Sequence, residues 1–280
     1  MPTVREEITV FGIDAVKKAK KNGFTSSKFP VDVYVAFLKF DFLDSKNDPL
    51  CAIIKSWVSK EGIRHMSYLT SCYTGEELRD ADWVCINLRA KNVIGSDASK
   101  RVFIPGKCQV CGSLNRFEGP VCPVEPPSNG QLIVSTNAGE WLIRKDCCPE
   151  YSSRLGPIKG EEWQGWGEIQ LESVPYPLGS KSAGLIRETP CGGCEREGYY
   201  LDCENLLRMV YSEWPVNKNK SGFFGSYELM GNSIVDKNVI AIASPILYVP
   251  GKLAARLQKQ VGVDFSVLEF DSHDDCVGMS

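Results

Sequence analysis

Apolar positions along this chain fall mostly into short runs, alternating or continuous, with fewer stretches at helical spacing. The run 31–42 (VDVYVAFLKFDF) alternates in part and is rich in β-branched and aromatic residues, which predicts a well-buried strand. Further strands are predicted at 83–88 (WVCINL), 132–135 (LIVS), 168–176 and 239–243 (VIAIA), with a terminal strand at 265–270 (FSVLEF). Val102-Phe103-Ile104 forms another short apolar run.

Helical spacing appears in five places. Ile13, Val16 and Ala19 share a side, followed by Lys17, Lys18, Lys20 and Lys21, and Gly23 is the stop. Lysines near a helix C-terminus are favoured by the macrodipole, so this cluster is no evidence of nucleic-acid binding. Leu50, Ile53, Ile54 and Trp57 predict a helix over 50–58, and Thr74-Gly75-Glu76-Glu77 starts a short one through Leu78. Asn137 is placed to cap a helix carrying Ala138, Trp141, Leu142 and Cys148 on one face, ended by Pro149. In 250–261 (PGKLAARLQKQV), Leu253, Leu257 and Val261 line one face while Lys and Arg face water.

Loops are expected at 95–101 (GSDASKR), 119–130 (GPVCPVEPPSNG) and 156–167 (GPIKGEEWQGWG), with a polar tail at 271–280. The pattern predicts an α+β fold, a mixed sheet with flanking helices. It divides into an N-terminal α/β region, 1–100, and a domain over 101–280. Ile133-Val134-Ser135 and Ile242-Ala243-Ser244 also suggest two echoing strand–Ser–helix units.

Composition narrows the function classes. With 280 residues and 43% hydrophobic content the chain can bury a substantial core. A net charge of −3 gives no support to general polyanion binding. No run approaches the ~18 apolar residues of a membrane span, and the first residues lack the apolar core of a signal peptide. A cytoplasmic location is therefore expected.

Twelve cysteines in a reducing compartment call for an explanation other than disulfides. Cys108-Gln109-Val110-Cys111-Gly112 and Cys191-Gly192-Gly193-Cys194 are two Cys-x-x-Cys pairs. Two such pairs supply the four soft ligands of a tetrahedral structural zinc: Cys108, Cys111, Cys191 and Cys194. The long segment 112–190 between them exceeds the ~15–20 residues of a compact ribbon, so a whole supersecondary unit must intervene. Free thiols and a redox dithiol at Cys191 and Cys194 are the alternatives. A redox pair wants its first thiolate at a helix N-terminus, and Glu195 and Glu197 are unfavourable beside it.

The remaining cysteines read differently. Cys51, Cys72 and Cys85 sit among apolar neighbours and read as core residues. Cys122, Cys203 and Cys276 are solitary, and the adjacent Cys147 and Cys148 are poorly placed to chelate one tetrahedral metal. His65 and His273, the two histidines, read as ordinary surface or loop residues. A zinc-dependent nucleic-acid regulator would need bases around the pairs, and Lys107, Arg116 and Arg196 are offset by Glu118, Glu195 and Glu197. No GxSxG, P-loop or HExxH pattern supports an enzyme.

The pieces Cys108-Gln109-Val110-Cys111-Gly112, Ile133-Val134-Ser135, Pro190-Cys191-Gly192-Gly193-Cys194 and the segment 252–270 resemble the double-CXXCG motif family. That family is counted among the bacterial immunity proteins of polymorphic toxin systems, of the swarming-inhibition type. The resemblance covers roughly 101–270. It implies a non-catalytic, zinc-stapled cytoplasmic protein that binds and neutralises a cognate toxin domain encoded nearby, without membrane or nucleic-acid partners. The chain departs from the pattern in having Glu195 after the second pair, where the family has glycine, and in its first hundred residues. Anionic stretches that could steer a basic toxin are Glu161-Glu162, 195–204 and 271–275, although each also reads as a solvated face; aromatic anchors are to be sought in 163–166 and 211–227, where core packing is the expected role of any one residue.

Overall fold

Brief apolar runs punctuated by glycine and proline give short strands, and strands dominate the structure. The computed structural model describes residues 3–11, 17, 25–28, 34–41, 55–56, 59–60, 65–88, 92–104, 116–124, 127, 130–137, 139–173, 177–187, 198–201, 206–212, 222–230, 234–236, 239–241, 244–260 and 263–271. The chain forms two compact units, Met1–Tyr73 with Asp202–Leu207, and Thr74–Leu201 with Arg208–Ser280. The polar run 95–101 lies inside the second unit.

The first unit holds a four-stranded antiparallel sheet of β1 (Thr3–Phe11), β2 (Thr25–Lys28), β3 (Tyr34–Asp41) and β4 (His65–Cys72), in the order β2-β3-β1-β4. β1 is paired on both sides, with Val10 opposite Ala36 on one and His65 on the other. The strand predicted over 31–42 is β3. His65 thus begins a strand. The helices expected around 13–21 and 50–58 lie mostly outside the described residues, although Lys17, Lys55, Ser56, Ser59 and Lys60 are helical.

The second unit is of mixed α+β character, with mixed sheets and few helices among the described residues. Its five-stranded sheet runs β11 (Leu155–Gly156), β12 (Trp166–Ile169), β10 (Trp141–Arg144), β9 (Ile133–Thr136), β6 (Val93–Ile94). Its larger sheet runs β14 (Leu185–Arg187), β15 (Gly198–Leu201), β17 (Phe224–Met230), β20 (Ser244–Pro250), β5 (Trp83–Leu88), β21 (Val263–Phe270), β16 (Met209–Tyr211). β13 (Glu172–Ser173) joins β17 beside that path. Two hairpins stand apart: β7 (Val102–Ile104) with β8 (Arg116–Glu118), and β18 (Ile234–Asp236) with β19 (Val239–Ala241).

β5 sits near the middle of the larger sheet, with Ile86 opposite both Leu247 and Phe265. Trp83, Val84, Cys85 and Ile86 are all buried. A strand covered on both faces reads as a continuous apolar run, which is why 83–88 was legible. Ile94, Val121, Val134, Leu142, Trp163 and Trp166 form the core beside the five-stranded sheet.

Two short helices pack together. In α1 (Gly75–Asp80) Thr74 and Glu77 form a capping box, with Glu77 N donating to Thr74 Oγ1 at 3.1 Å and Thr74 N to Glu77 Oε2 at 2.8 Å. In α2 (Gly251–Leu257) Leu253 and Leu257 are buried, as the sequence spacing predicts, and so is Ala254; Val261 lies outside the described residues. A Cβ on Gly251 would sit 2.1 Å from the Leu78 carbonyl oxygen and 2.2 Å from that of Ala81, so only glycine admits this approach. Just past α2 the buried Gln260 reaches β9. Its Oε1 accepts from Leu132 N and Ile133 N at 2.6 and 2.8 Å, and its Nε2 donates to Ile133 O at 2.7 Å.

Three expectations are corrected. The segment after Asn137 is not a helix: Trp141–Arg144 is a strand antiparallel to β9, followed by 3-10 turns at Lys145–Cys147 and Pro149–Arg154. Gly139, with φ +85°, makes the tight turn, and Thr136 N donates to Glu140 O across it. A short wholly buried apolar run cannot distinguish helix from strand by periodicity. The strand–Ser–helix echo consequently fails, since β9 leads into a strand and Ser244 begins a strand rather than ending one. The strand expected over 168–176 is two, β12 and β13, because the chain crosses there from one sheet to the other.

Candidate functional site

Cys108, Cys111, Cys191 and Cys194 lie outside the described residues, but the strands flanking each pair do not. β7 and β8 are antiparallel with Ile104 opposite Arg116, so the segment 105–115 leaves and rejoins one rung of a hairpin. β14 and β15 repeat the arrangement, with Arg187 opposite Tyr199 across 188–197. Each Cys-x-x-Cys pair therefore lies in the connection between two paired strands of the same unit. Four cysteines in two such pairs are, by their chemistry, a donor set suited to a structural zinc.

The first hairpin is fastened by a buried ion cluster. Arg101 stands just before β7 and Gly119 just after β8, and Arg101 Nε donates to Gly119 O at 3.1 Å across the hairpin base. Gly119 has φ +101°, a backbone conformation natural to glycine. Arg101 Nη1 also donates to Glu140 Oε1, and Nη2 lies 3.9 Å from Glu168 Oε1. The Arg101 side chain is 3% exposed, against 10% for Glu140 and 17% for Glu168. Thr136 Oγ1 donates to the second Glu140 oxygen. Burial pushes the Glu168 carboxyl up to about 7, although Arg101 pulls it the other way. One guanidinium thus ties the hairpin base to both the turn before β10 and to β12.

Main-chain pairing fastens the second hairpin instead. β15 continues into the larger sheet through parallel pairing with β17, Gly198 opposite Leu229 and Tyr199 opposite Met230. Before β14, Ala183 and Arg208 exchange backbone hydrogen bonds of 2.8 and 2.9 Å. Ser182 Oγ donates to Val210 O at 3.1 Å and accepts from Val210 N at 3.0 Å.

Among the described residues no group of three or more His, Cys, Asp or Glu side chains is placed to hold a metal. Cys85 is buried, and burial holds its thiol well above the usual range. Cys72 is half-buried and Cys122 buried, while Cys51, Cys203, Cys276 and His273 lie outside the described residues. Trp163, Trp166 and Tyr211 are core residues, the role expected of any one aromatic in these segments. The two tryptophan rings pack edge to face at 5.6 Å, and Tyr211 Oη lies 2.7 Å from Tyr248 Oη. Tyr227, 44% exposed, is an aromatic of these segments that reaches the surface. Glu161 and Glu162 are exposed.

The ion cluster had no local signature. Arg101, Glu140 and Glu168 are far apart in sequence and meet only through sheet pairing. Among the described residues no helix is long and apolar enough to cross a membrane. No family model matches the chain, nor does any curated protein or solved structure.

Proposed function

We propose that this chain is a non-catalytic immunity protein of the cytoplasm. It binds a toxin domain encoded nearby and is stapled by one zinc held by Cys108, Cys111, Cys191 and Cys194. The pairing of strands around both Cys-x-x-Cys segments carries the reading. It gives the two motifs on which the resemblance to the double-CXXCG family rests the same setting, a connection between paired strands, and the proposed metal is shared between them. When bound, the metal supplies a cross-link and no reactive water, since four cysteines fill a tetrahedral shell.

The surface supports a basic partner. A net charge of −3 and exposed Glu118, Glu161 and Glu162 would speed encounter with a cationic toxin face. The redox alternative is disfavoured because Glu195 and Glu197, beside Cys194, would raise the thiol pKa.

Co-expression of the neighbouring toxin with and without this chain tests the proposal. Survival only in its presence, with a one-to-one complex near nanomolar affinity, about −12 kcal/mol, is the expected result. Equal killing in both cases sinks it.

A further inference from the structure

Cys147 and Cys148 come to one point in space. Cys147 ends one 3-10 turn and Cys148 joins it to the next. Both thiols donate to the Arg144 carbonyl oxygen, from 3.0 and 3.3 Å, so the two sulfurs lie on one side of the chain. In a strand, adjacent side chains would point to opposite faces. Cys147 is half-buried and Cys148 buried, which makes Cys147 the point of entry.

The surrounding carboxylates are already engaged. Asp146 accepts from Arg144 Nε at 3.0 Å and from its Nη2, while Glu150 accepts from both Nη atoms of Arg256. The pair therefore offers two soft sulfur ligands, and no three-member metal-ligating group forms there among the described residues. Zinc, which wants four protein ligands in a structural site, is not satisfied by two. A soft centre that brings its own third substituent is.

We propose that Cys147 and Cys148 form a vicinal dithiol site that chelates one trivalent, monosubstituted arsenical. The hydrated ligand R–As(OH)2 exchanges two As–O bonds for two S–As bonds. Each thiol proton leaves with a hydroxide as water, and no electrons are transferred. Cys147 reacts first from the surface, and Cys148 then turns its sulfur from the Arg144 carbonyl to close the chelate.

Phenylarsine oxide on the full chain, kept in its purified metal-loaded state, is the test, read on the tryptic peptide 146–154 by mass spectrometry. One bridging phenylarsenic is expected there, protecting both cysteines together from alkylation and released by ethanedithiol but not by an equal concentration of glutathione. Cys147→Ser and Cys148→Ser should each weaken binding at this peptide on the order of 100-fold, the gain from intramolecular closure. Should either variant misfold by circular dichroism, the alkylation footprint of the unaltered chain decides. Two cysteines that remain alkylatable under saturating probe, or folded serine variants that bind as tightly as the parent, overturn the proposal.

Discussion

The two Cys-x-x-Cys hairpins are alike in topology and unlike in how they are held. β7–β8 forms its own two-stranded ladder, tied down by Arg101 through Gly119, Glu140 and Glu168. β14–β15 lies at one end of the larger sheet, and parallel pairing with β17 holds it. One depends on side-chain charge in a buried setting and the other on main-chain hydrogen bonds. A two-stranded hairpin alone is marginal in water. The first should therefore need both its ion cluster and a metal more than the second does.

Cutting the proposed cross-link should have the largest effect. Cys111→Ser is expected to lower unfolding free energy by about 5 kcal/mol, less than the roughly 10–16 kcal/mol bound up in zinc-finger peptides because this unit has its own core. Urea titration checks it, and amide exchange should accelerate more in β7 and β8 than in β14 and β15. Unchanged stability contradicts a structural metal.

Next is Arg101→Met, which takes the guanidinium away from two largely buried carboxylates. A loss of about 3–5 kcal/mol is expected, and a change below about 1 kcal/mol would show the cluster to be incidental.

Glu168→Gln should have a smaller effect and the opposite sign. The folded carboxyl titrates at about 7, above the ordinary 4.5, so the folded state holds the proton more tightly than the unfolded chain. Wild-type stability from this group is fully present below pH 4.5, falls as pH rises through about 7, and is level beyond. The glutamine variant lacks this dependence and should be more stable than wild type at pH 8 by about 1–3 kcal/mol, with the gap closing by pH 5. Paired thermal melts across that range decide it, and a parallel offset at all pH values would refute the assignment.

Ser182→Ala is the mildest break. It removes the hydroxyl that bridges both backbone groups of Val210, for about 1 kcal/mol by denaturant titration. A loss as large as that for Arg101→Met would erase the distinction between the hairpins.

The sequence made some of this visible and hid the rest for identifiable reasons. Strand β5, helix α2 and the Thr74 cap were legible because their signals are local: a two-face apolar run, a helical stripe and a capping box. The helix expected after Asn137 failed because Trp141, Leu142 and Ile143 are all buried, which erases the period that separates helix from strand. The tryptophans at 163 and 166 lie amid glycine and glutamate, where core packing was the expected role of any one residue, and both belong to the core with Val121, Val134 and Leu142. The Arg101 cluster was invisible, since a lone arginine in a polar run carries no sign of carboxylates brought to it by β10 and β12.

The most direct test of the account is metal content and coordination in protein purified without added zinc, by elemental analysis with X-ray absorption at the zinc edge. One zinc per chain with four sulfur neighbours at about 2.3 Å is the predicted result. A well-folded, metal-free chain, or a zinc with nitrogen or oxygen neighbours in place of the cysteines, would contradict it.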